Sequence, residues 1–271
     1  MPRGNPHRGG GAKQLERGTM SDVTPEGPQG PSPEASPPRT GPALAVFAHP
    51  DDAEISAGGT LARWAAEGRE VHLLVLTNGD RGSEDPAQDR AELARIRLGE
   101  TEDAARLLGL AGASVLANHD GELQNTREIQ ADIVREVRRV RPAIVLTCDP
   151  TAWFFGNRYF NHSDHRNAGA VTLDAVFPGA GNPLFFGELL TEGFEPWKVP
   201  EVWLGWTLEP NHYQDVTGFM DMKLKALAEH RSQLQGGLLG FFEEWLPAEA
   251  EENGKKIGVQ HAESFRVLQL D

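Results

Sequence analysis

Apolar positions along this chain follow two periods in turn, one suited to buried strands and one to helices. The run Ala43 to Ala48 has no polar interruption, as expected of a strand covered on both faces. Glu54 to Glu67 then sets Ile55, Leu61 and Trp64 on one side of a helix that Gly68 ends. The alternation continues with a strand over Glu70 to Thr77, the turn Asn78-Gly79-Asp80, and a long helix from Asp89 to Leu108 stopped by Gly109. A short strand over Ser114 to Ala117, a helix over Ile129 to Val140, a strand over Ala143 to Thr147 after Pro142, and a helix over His165 to Val176 follow. Beyond a Pro/Gly-rich excursion to about Pro200, the pattern predicts a late strand over Glu201 to Thr207 and a late helix over Phe219 to Gln233. Glu243 to Lys256 is acidic and broken by Gly and Pro, and reads as a mobile surface loop. Strands alternating with helices predict an α/β fold with a parallel, doubly wound sheet.

Residues 1–42 carry Pro, Gly, Ser and charge with almost nothing to bury. Such a segment cannot offset its ordering entropy, so a disordered tail is expected there and one domain over 43–271. Met20 is a plausible start, and residues 1–19 are expected to be dispensable.

Composition narrows the function classes. A formal net charge of −14 argues against nucleic-acid binding and against anionic membrane surfaces, both of which need clustered Lys and Arg. No apolar run is long enough for a membrane span, and no apolar stretch follows the early positive charges to make a secretory signal. The single cysteine, Cys148, lies in an apolar run and reads as a small hydrophobe; with no intrachain disulfide possible, a cytoplasmic location is expected.

Chemistry concentrates in two places. The first strand runs into Ala48-His49-Pro50-Asp51-Asp52-Ala53-Glu54 at its C-terminal end, where open α/β sheets bind ligands. Adjacent aspartates leave a loop in different directions, so one can join His49 on a metal while the other handles a proton. The second cluster is Asn161-His162-Ser163-Asp164-His165, with two histidines three apart where a loop becomes a helix, so both can face one cleft. A His/Asp/His set with an open water position is the pattern of a catalytic zinc site, with Fe²⁺ as runner-up. His72 reads as a packed side chain within its strand, and His7, His230 and His261 have no chemical neighbours. Ala57-Gly58-Gly59 after the first strand is not a dinucleotide-binding turn.

These strings resemble the PIG-L/LmbE family of zinc-dependent de-N-acetylases. Residues 48–54 are close to its A-H-P-D-D-x-E signature, and His162-Ser163-Asp164-His165 matches its H-x-D-H. Weaker support comes from Asn78-Gly79, Arg97-Leu98-Gly99-Glu100 and Asp120-Gly121. The resemblance implies a Rossmann-like three-layer fold with a mostly parallel sheet, and a small N-acetylated amino sugar or related amide as substrate. It implies His49, Asp52 and His165 as zinc ligands, Asp51 as general base and His162 as a second catalytic residue. Arg97 and Asp120 would line the sugar cleft, and Glu54 would cap its helix or support the loop; from its place in the second cluster, Asp164 either orients His162 or tunes its charge, or is a surface carboxylate that caps the helix. Ser163 stands where the family commonly has Pro, and Phe160, beside Tyr159, where the mycothiol-type relative has Tyr.

Three further readings remain open at this level. The loop Trp153 to Phe160 interleaves aromatic rings with Asn157 and Arg158, as a sugar-binding face or a packed lid would. His212 follows the late strand and could reach the same cleft. A zinc hydrolase of another N-acylated small molecule, or a non-catalytic carbohydrate-binding member of the fold, are the alternative functions.

Overall fold

β1 (Ala43–Phe47) is buried along its whole length, at the heart of a seven-stranded sheet. The computed structural model describes residues 40–270. The tail expected over 1–42, with His7 and Met20, therefore lies outside the described residues except for its last three. β1 pairs in parallel with β2 (Val71–Thr77) on one side and β4 (Ile144–Cys148) on the other. β3 (Gly112–Asn118) extends the sheet beyond β2, and β7 (Glu201–Gly205) extends it beyond β4, both in parallel. Strand order therefore reverses at β1, which makes the gap between the C-terminal ends of β1 and β4 the natural ligand crevice.

Period-two alternation in these strands feeds two separate cores. Leu44, Val46, Leu74, Leu76 and Val145 pack against Ile133, Val137 and Val171 on one face. Ala45, Phe47, Leu73, Val75 and Leu146 pack against Ala57, Leu61 and Trp64 on the other. The helices that supply these partners are α1 (Asp52–Ala66), α3 (Arg127–Val140) and α4 (Ser163–Asp174); α2 (Arg90–Leu108) joins α1 through Ala104 and Leu108. This sandwich of helix, sheet and helix is why the strands read as unbroken apolar runs. Asp89 caps α2 by accepting from the Glu92 N–H at 3.0 Å, and Gly109 ends it at φ 76°, as the sequence predicts.

α4 approaches β4 closely because residue 169 is glycine: a Cβ there would lie 2.3 Å from the Cys148 carbonyl oxygen. That approach aims the N-terminus of α4, with its two histidines, at the end of β1.

The C-terminal third departs from the sequence reading. β9 (Ala262–Gln269) runs antiparallel to β7, and β8 (His212–Asp215) antiparallel to β9, two strands the pattern did not predict; the sheet is mostly parallel, as the resemblance implies. Between α4 and β7 the chain adds a π-helical turn, Ala175–Ala180, and one short helix, α5 (Gly187–Thr191). The late helix is shorter than expected, ending at Leu227 as α6 (Met220–Leu227). The segment expected to be a mobile loop over 243–256 is instead most of α7 (Leu238–Lys255). Its charge masked an apolar stripe: Leu246 and Ala250, with Phe242 one turn before, pack on Val216, Met220 and Leu227.

Candidate metal centre and active site

His49, Asp52 and His165 converge at the crevice. His49 Nδ1 lies 3.2 Å from His165 Nε2. The Asp52 carboxylate spans both rings, Oδ2 at 3.4 Å from His49 Nδ1 and Oδ1 at 3.2 Å from His165 Nε2. Donors about 2.0–2.1 Å from a tetrahedral zinc stand about 3.3 Å apart, so these separations fit one ion. Among the described residues a second group, His49 with His162 and Asp164, also has donor spacing that could hold an ion.

The partners behind each ring favour the first group. His165 Nδ1 is 2.9 Å from Asn161 Oδ1, and Asn161 Nδ2 donates to the Ala152 carbonyl at 2.9 Å. The amide is thereby oriented with its oxygen toward the ring, Nδ1 carries the proton, and the Nε2 lone pair faces His49 and Asp52. His49 Nε2 faces two carboxylates, Asp120 Oδ1 and Asp164 Oδ2, each at 3.2 Å, leaving Nδ1 for the ion. Asp164, fully buried, accepts from the Gly121 N–H at 2.7 Å, so its carboxylate turns to His49 and its backbone serves His162.

His162 is the N-cap of α4: its Nδ1 accepts from the Asp164 N–H at 3.2 Å. That bond leaves Nε2 as the protonated, donating nitrogen of a neutral ring. Burial, then the neighbouring His49, hold the pKa below the usual imidazole value. At His49 burial acts downward, yet Asp52 first and then Asp120 and Asp164 outweigh it and hold the pKa well above the usual imidazole range. Asp52 is held far below the carboxylate range despite burial, by His165 and His49.

Asp51 stands apart from this set although it precedes Asp52. Its backbone is left-handed at φ 101°, which turns its carboxylate to Arg97, with Oδ2 3.5 Å from Nη2. Burial raises the Asp51 pKa above the ordinary aspartate value against the pull of Arg97 and His230. Arg97 is only 3% exposed and donates to the Gly79 and Pro50 carbonyls. Gly79 is required there: at φ 63°, a Cβ would lie 2.4 Å from Arg97 Nη1. Asp120 Oδ2 comes within 3.9 Å of the same guanidinium, and the Asp120 N–H is held by Asp80 Oδ1 at 3.1 Å.

Three contributors escaped the sequence reading. His230 is wholly buried with Nε2 3.3 Å from Glu54 Oε2, which ties the loop after α6 to the first turn of α1. Trp206, left-handed at φ 52°, lays its ring 4.7 Å from His165. It is fixed by Asp149, whose N–H donates to the Gly205 carbonyl at 2.9 Å and whose Oδ2 accepts from Thr207 Oγ1 at 2.6 Å. The third is α7, one wall of a cleft of about 750 Å³ that also touches Asp52 and His165. The aromatic loop divides: it forms a hairpin of β5 (Phe154–Phe155) and β6 (Tyr159–Phe160), with Phe155 and Tyr159 on the cleft and Arg166 stacked 3.8 Å over Trp153. His212 does not line the cleft; it packs 4.6 Å from Trp203.

The model of the GlcNAc-PI de-N-acetylase family, PIG-L, matches residues 44–176, the stretch that supplies both clusters. Diacetylchitobiose deacetylase of Thermococcus kodakarensis is 36% identical over 225 residues, covering 83% of this chain and 82% of that one. The chain belongs to the PIG-L family. Another PIG-L relative, 1D-myo-inositol 2-acetamido-2-deoxy-alpha-D-glucopyranoside deacetylase of Rhodococcus jostii, is 30% identical over 70% of this chain and 81% of its own. Among solved structures, N,N'-diacetylchitobiose deacetylase of Pyrococcus horikoshii superposes with a TM-score of 0.77 at 34% identity, covering 84% of this chain and 83% of that one. A hydratase of Pseudomonas putida, GalB, shares the fold at TM-score 0.71 and 20% identity, covering 86% of this chain and 98% of that one. The PIG-L assignment thus rests on the sequence matches rather than on the fold alone. Among the described residues no helix is long and apolar enough to cross a membrane.

Proposed function

We propose that this protein is a zinc-dependent N-deacetylase, with Fe²⁺ as the second choice of ion, that removes the acetyl group from an N-acetylglucosamine-type amino sugar or its glycoside. The observation that carries the reading is the separation of two adjacent carboxylates: Asp52 faces His49 and His165, while Asp51 faces Arg97. A binding protein has no use for a second, raised carboxylate kept off the ligand set; an amide hydrolase needs one. The named activities of the relatives support the amino-sugar substrate. The lone, buried Cys148 supports a cytoplasmic site of action.

His49, Asp52 and His165 would hold the ion. Bound there, it supplies a Lewis acid that polarises the acetamide carbonyl and lowers the pKa of water toward about 7. Asp51 accepts a proton from the attacking water and passes one to the sugar nitrogen as the C–N bond breaks. His162, as a neutral Nε2–H donor, stabilises the carbonyl oxygen as negative charge builds on it; such a donor contributes about 10²–10³ in rate. Asp120 would accept from a sugar hydroxyl, and Arg97 acts by holding Asp51.

The test is free-amine and acetate release by the full chain, loaded with zinc, from N-acetylglucosamine and diacetylchitobiose. Release that a chelator abolishes and zinc restores is the expected result. Stoichiometric zinc without release from these sugars or from N-acetylglucosaminyl inositol refutes the substrate class.

A further inference from the structure

The loop after β2 grips the loop after β3 at Asp120. Asp80 Oδ1 accepts from the Asp120 N–H at 3.1 Å, and Arg81 Nη1 donates to the Asp120 carbonyl at 2.9 Å. Two consecutive residues of one loop therefore hold both backbone polar groups of Asp120. The same loop holds Arg97, whose Nη1 donates to the Gly79 carbonyl at 3.1 Å.

This task requires a carboxylate at residue 80, and a polar side chain of other kind would not serve. Asp80 is only 4% exposed, and donors face both of its oxygens. Its Oδ2 accepts from Arg90 Nε at 2.9 Å, from Arg90 Nη2, and from His119 Nδ1 at 2.8 Å, which leaves Oδ1 for Asp120. An amide in its place would turn its own N–H groups toward one of these two sets.

The Asp120 side chain depends on that grip for its aim. Among the described residues its carboxylate meets His49 Nε2 at 3.2 Å and Arg97 Nη1 at 3.9 Å. Neither contact ties it to its own loop, so its direction is set by where the backbone is held. The Asp120 N–H is thus the point at which a shift in the loop after β2 reaches His49.

We infer that Asp80 is a positioning residue for the reaction. By holding the Asp120 N–H it sets the Asp120 carboxylate behind His49, which governs how Nδ1 is presented to the ion, and toward the sugar. Asp80 itself touches no reacting group. The metal arm rests on the grouping of His49, Asp52 and His165, and the sugar arm on the deacetylase reading.

The experiment is a double-mutant cycle on the full chain. Asp120→Ala removes the carboxylate but keeps the N–H that Asp80 holds, so a purely structural loss is the same in both backgrounds. Equilibrium dialysis gives zinc affinity, thermal unfolding gives Tm, and zinc-loaded protein gives kcat and KM on diacetylchitobiose. Asp80→Ala should weaken zinc affinity about tenfold and raise KM more than it lowers kcat. In the Asp120→Ala background the same change should cost less than about twofold in zinc affinity or KM, while Tm falls equally in both. Losses that repeat in full without the Asp120 carboxylate, or a fall in Tm alone, overturn the proposal. Coupling in only one readout confines Asp80 to that arm and overturns the other. Should Asp80→Ala fail to fold, Asp80→Asn, which keeps the size of the side chain, carries the same cycle. If no sugar releases amine, zinc affinity decides. A loss that needs Asp120 then upholds Asp80 and sinks the deacetylase; a loss independent of Asp120, or none, sinks both.

Discussion

Asp51 meets Arg97 at 3.5 Å, Oδ2 to Nη2, and does so from a backbone at φ 101° that few L-residues adopt. Asn tolerates such a conformation better than other non-glycine residues. Asp51→Asn should therefore keep the fold and the metal while losing about 10²–10⁴ in kcat, the usual share of a general base. Asp51→Ala should lose activity and also about 1 kcal/mol of stability to left-handed strain. Metal stoichiometry with kcat for each variant separates base from ligand; loss of zinc in Asp51→Asn would place Asp51 among the ligands.

The same pair sets a pH dependence. Burial raises the Asp51 pKa and the Arg97 cation works against it, so removing the cation raises it further. The acid limb of kcat/KM should lie above the ordinary aspartate value in the native enzyme and shift to higher pH in Arg97→Met. An acid limb that stays in place would dissociate Arg97 from the base.

Asn161 gives a cleaner test of the metal geometry than a ligand deletion. It fixes the His165 tautomer through one contact of 2.9 Å while being only 1% exposed. Asn161→Ala should weaken zinc affinity about 10–100-fold, the usual effect of losing the partner behind a ligating imidazole. His165→Ala should abolish stoichiometric binding, and His162→Ala should lower kcat with zinc retained. Equilibrium dialysis with metal analysis decides each case, and metal loss in His162→Ala would favour the second donor group.

Both chemical clusters were readable because each is contiguous in the chain and sits at a strand-to-helix junction, where local pattern and topology agree. What could not be read depends on contacts between distant segments. Glu54 and His230 meet only because α6 packs against α1, so neither residue's neighbours in sequence point to the other. Trp206 looks like the end of a strand until its left-handed backbone is known. α7 did carry a signal in Phe242, Leu246 and Ala250, but Pro247 and Gly254 within the same helix pulled the reading toward a loop. The antiparallel strands β8 and β9 hold only short or half-polar patterns, which a one-sided sheet edge permits.

Arg138 illustrates burial of a charge for structure alone. It is 3% exposed and its guanidinium donates to the carbonyls of Gly179, Ala180, Asn182, Phe185, Phe186 and Phe194. Arg138→Ala would leave several buried acceptors without partners, at a cost of about 3 kcal/mol. Urea unfolding should show the loss in midpoint, with the zinc site unaffected in protein that remains folded. Arg138→Lys should recover little, because an ammonium has three donors and no planar fork.

The buried pair of His230 and Glu54 makes a prediction for stability rather than rate. Burial lowers the His230 pKa, but Glu54 outweighs it and, with Asp51, raises the pKa above the usual imidazole value. A group raised in the folded state contributes stability that is full below its unfolded pKa, about 6.5, and fades as pH rises through the folded value. His49 has the same sign in metal-free protein, so the measurement belongs in zinc-loaded protein, where His49 no longer titrates freely. There, Tm should fall as pH rises above about 6.5, and His230→Gln should flatten that fall while lowering Tm at acid pH. A slope that survives His230→Gln unchanged would show that His230 is neutral in the folded protein.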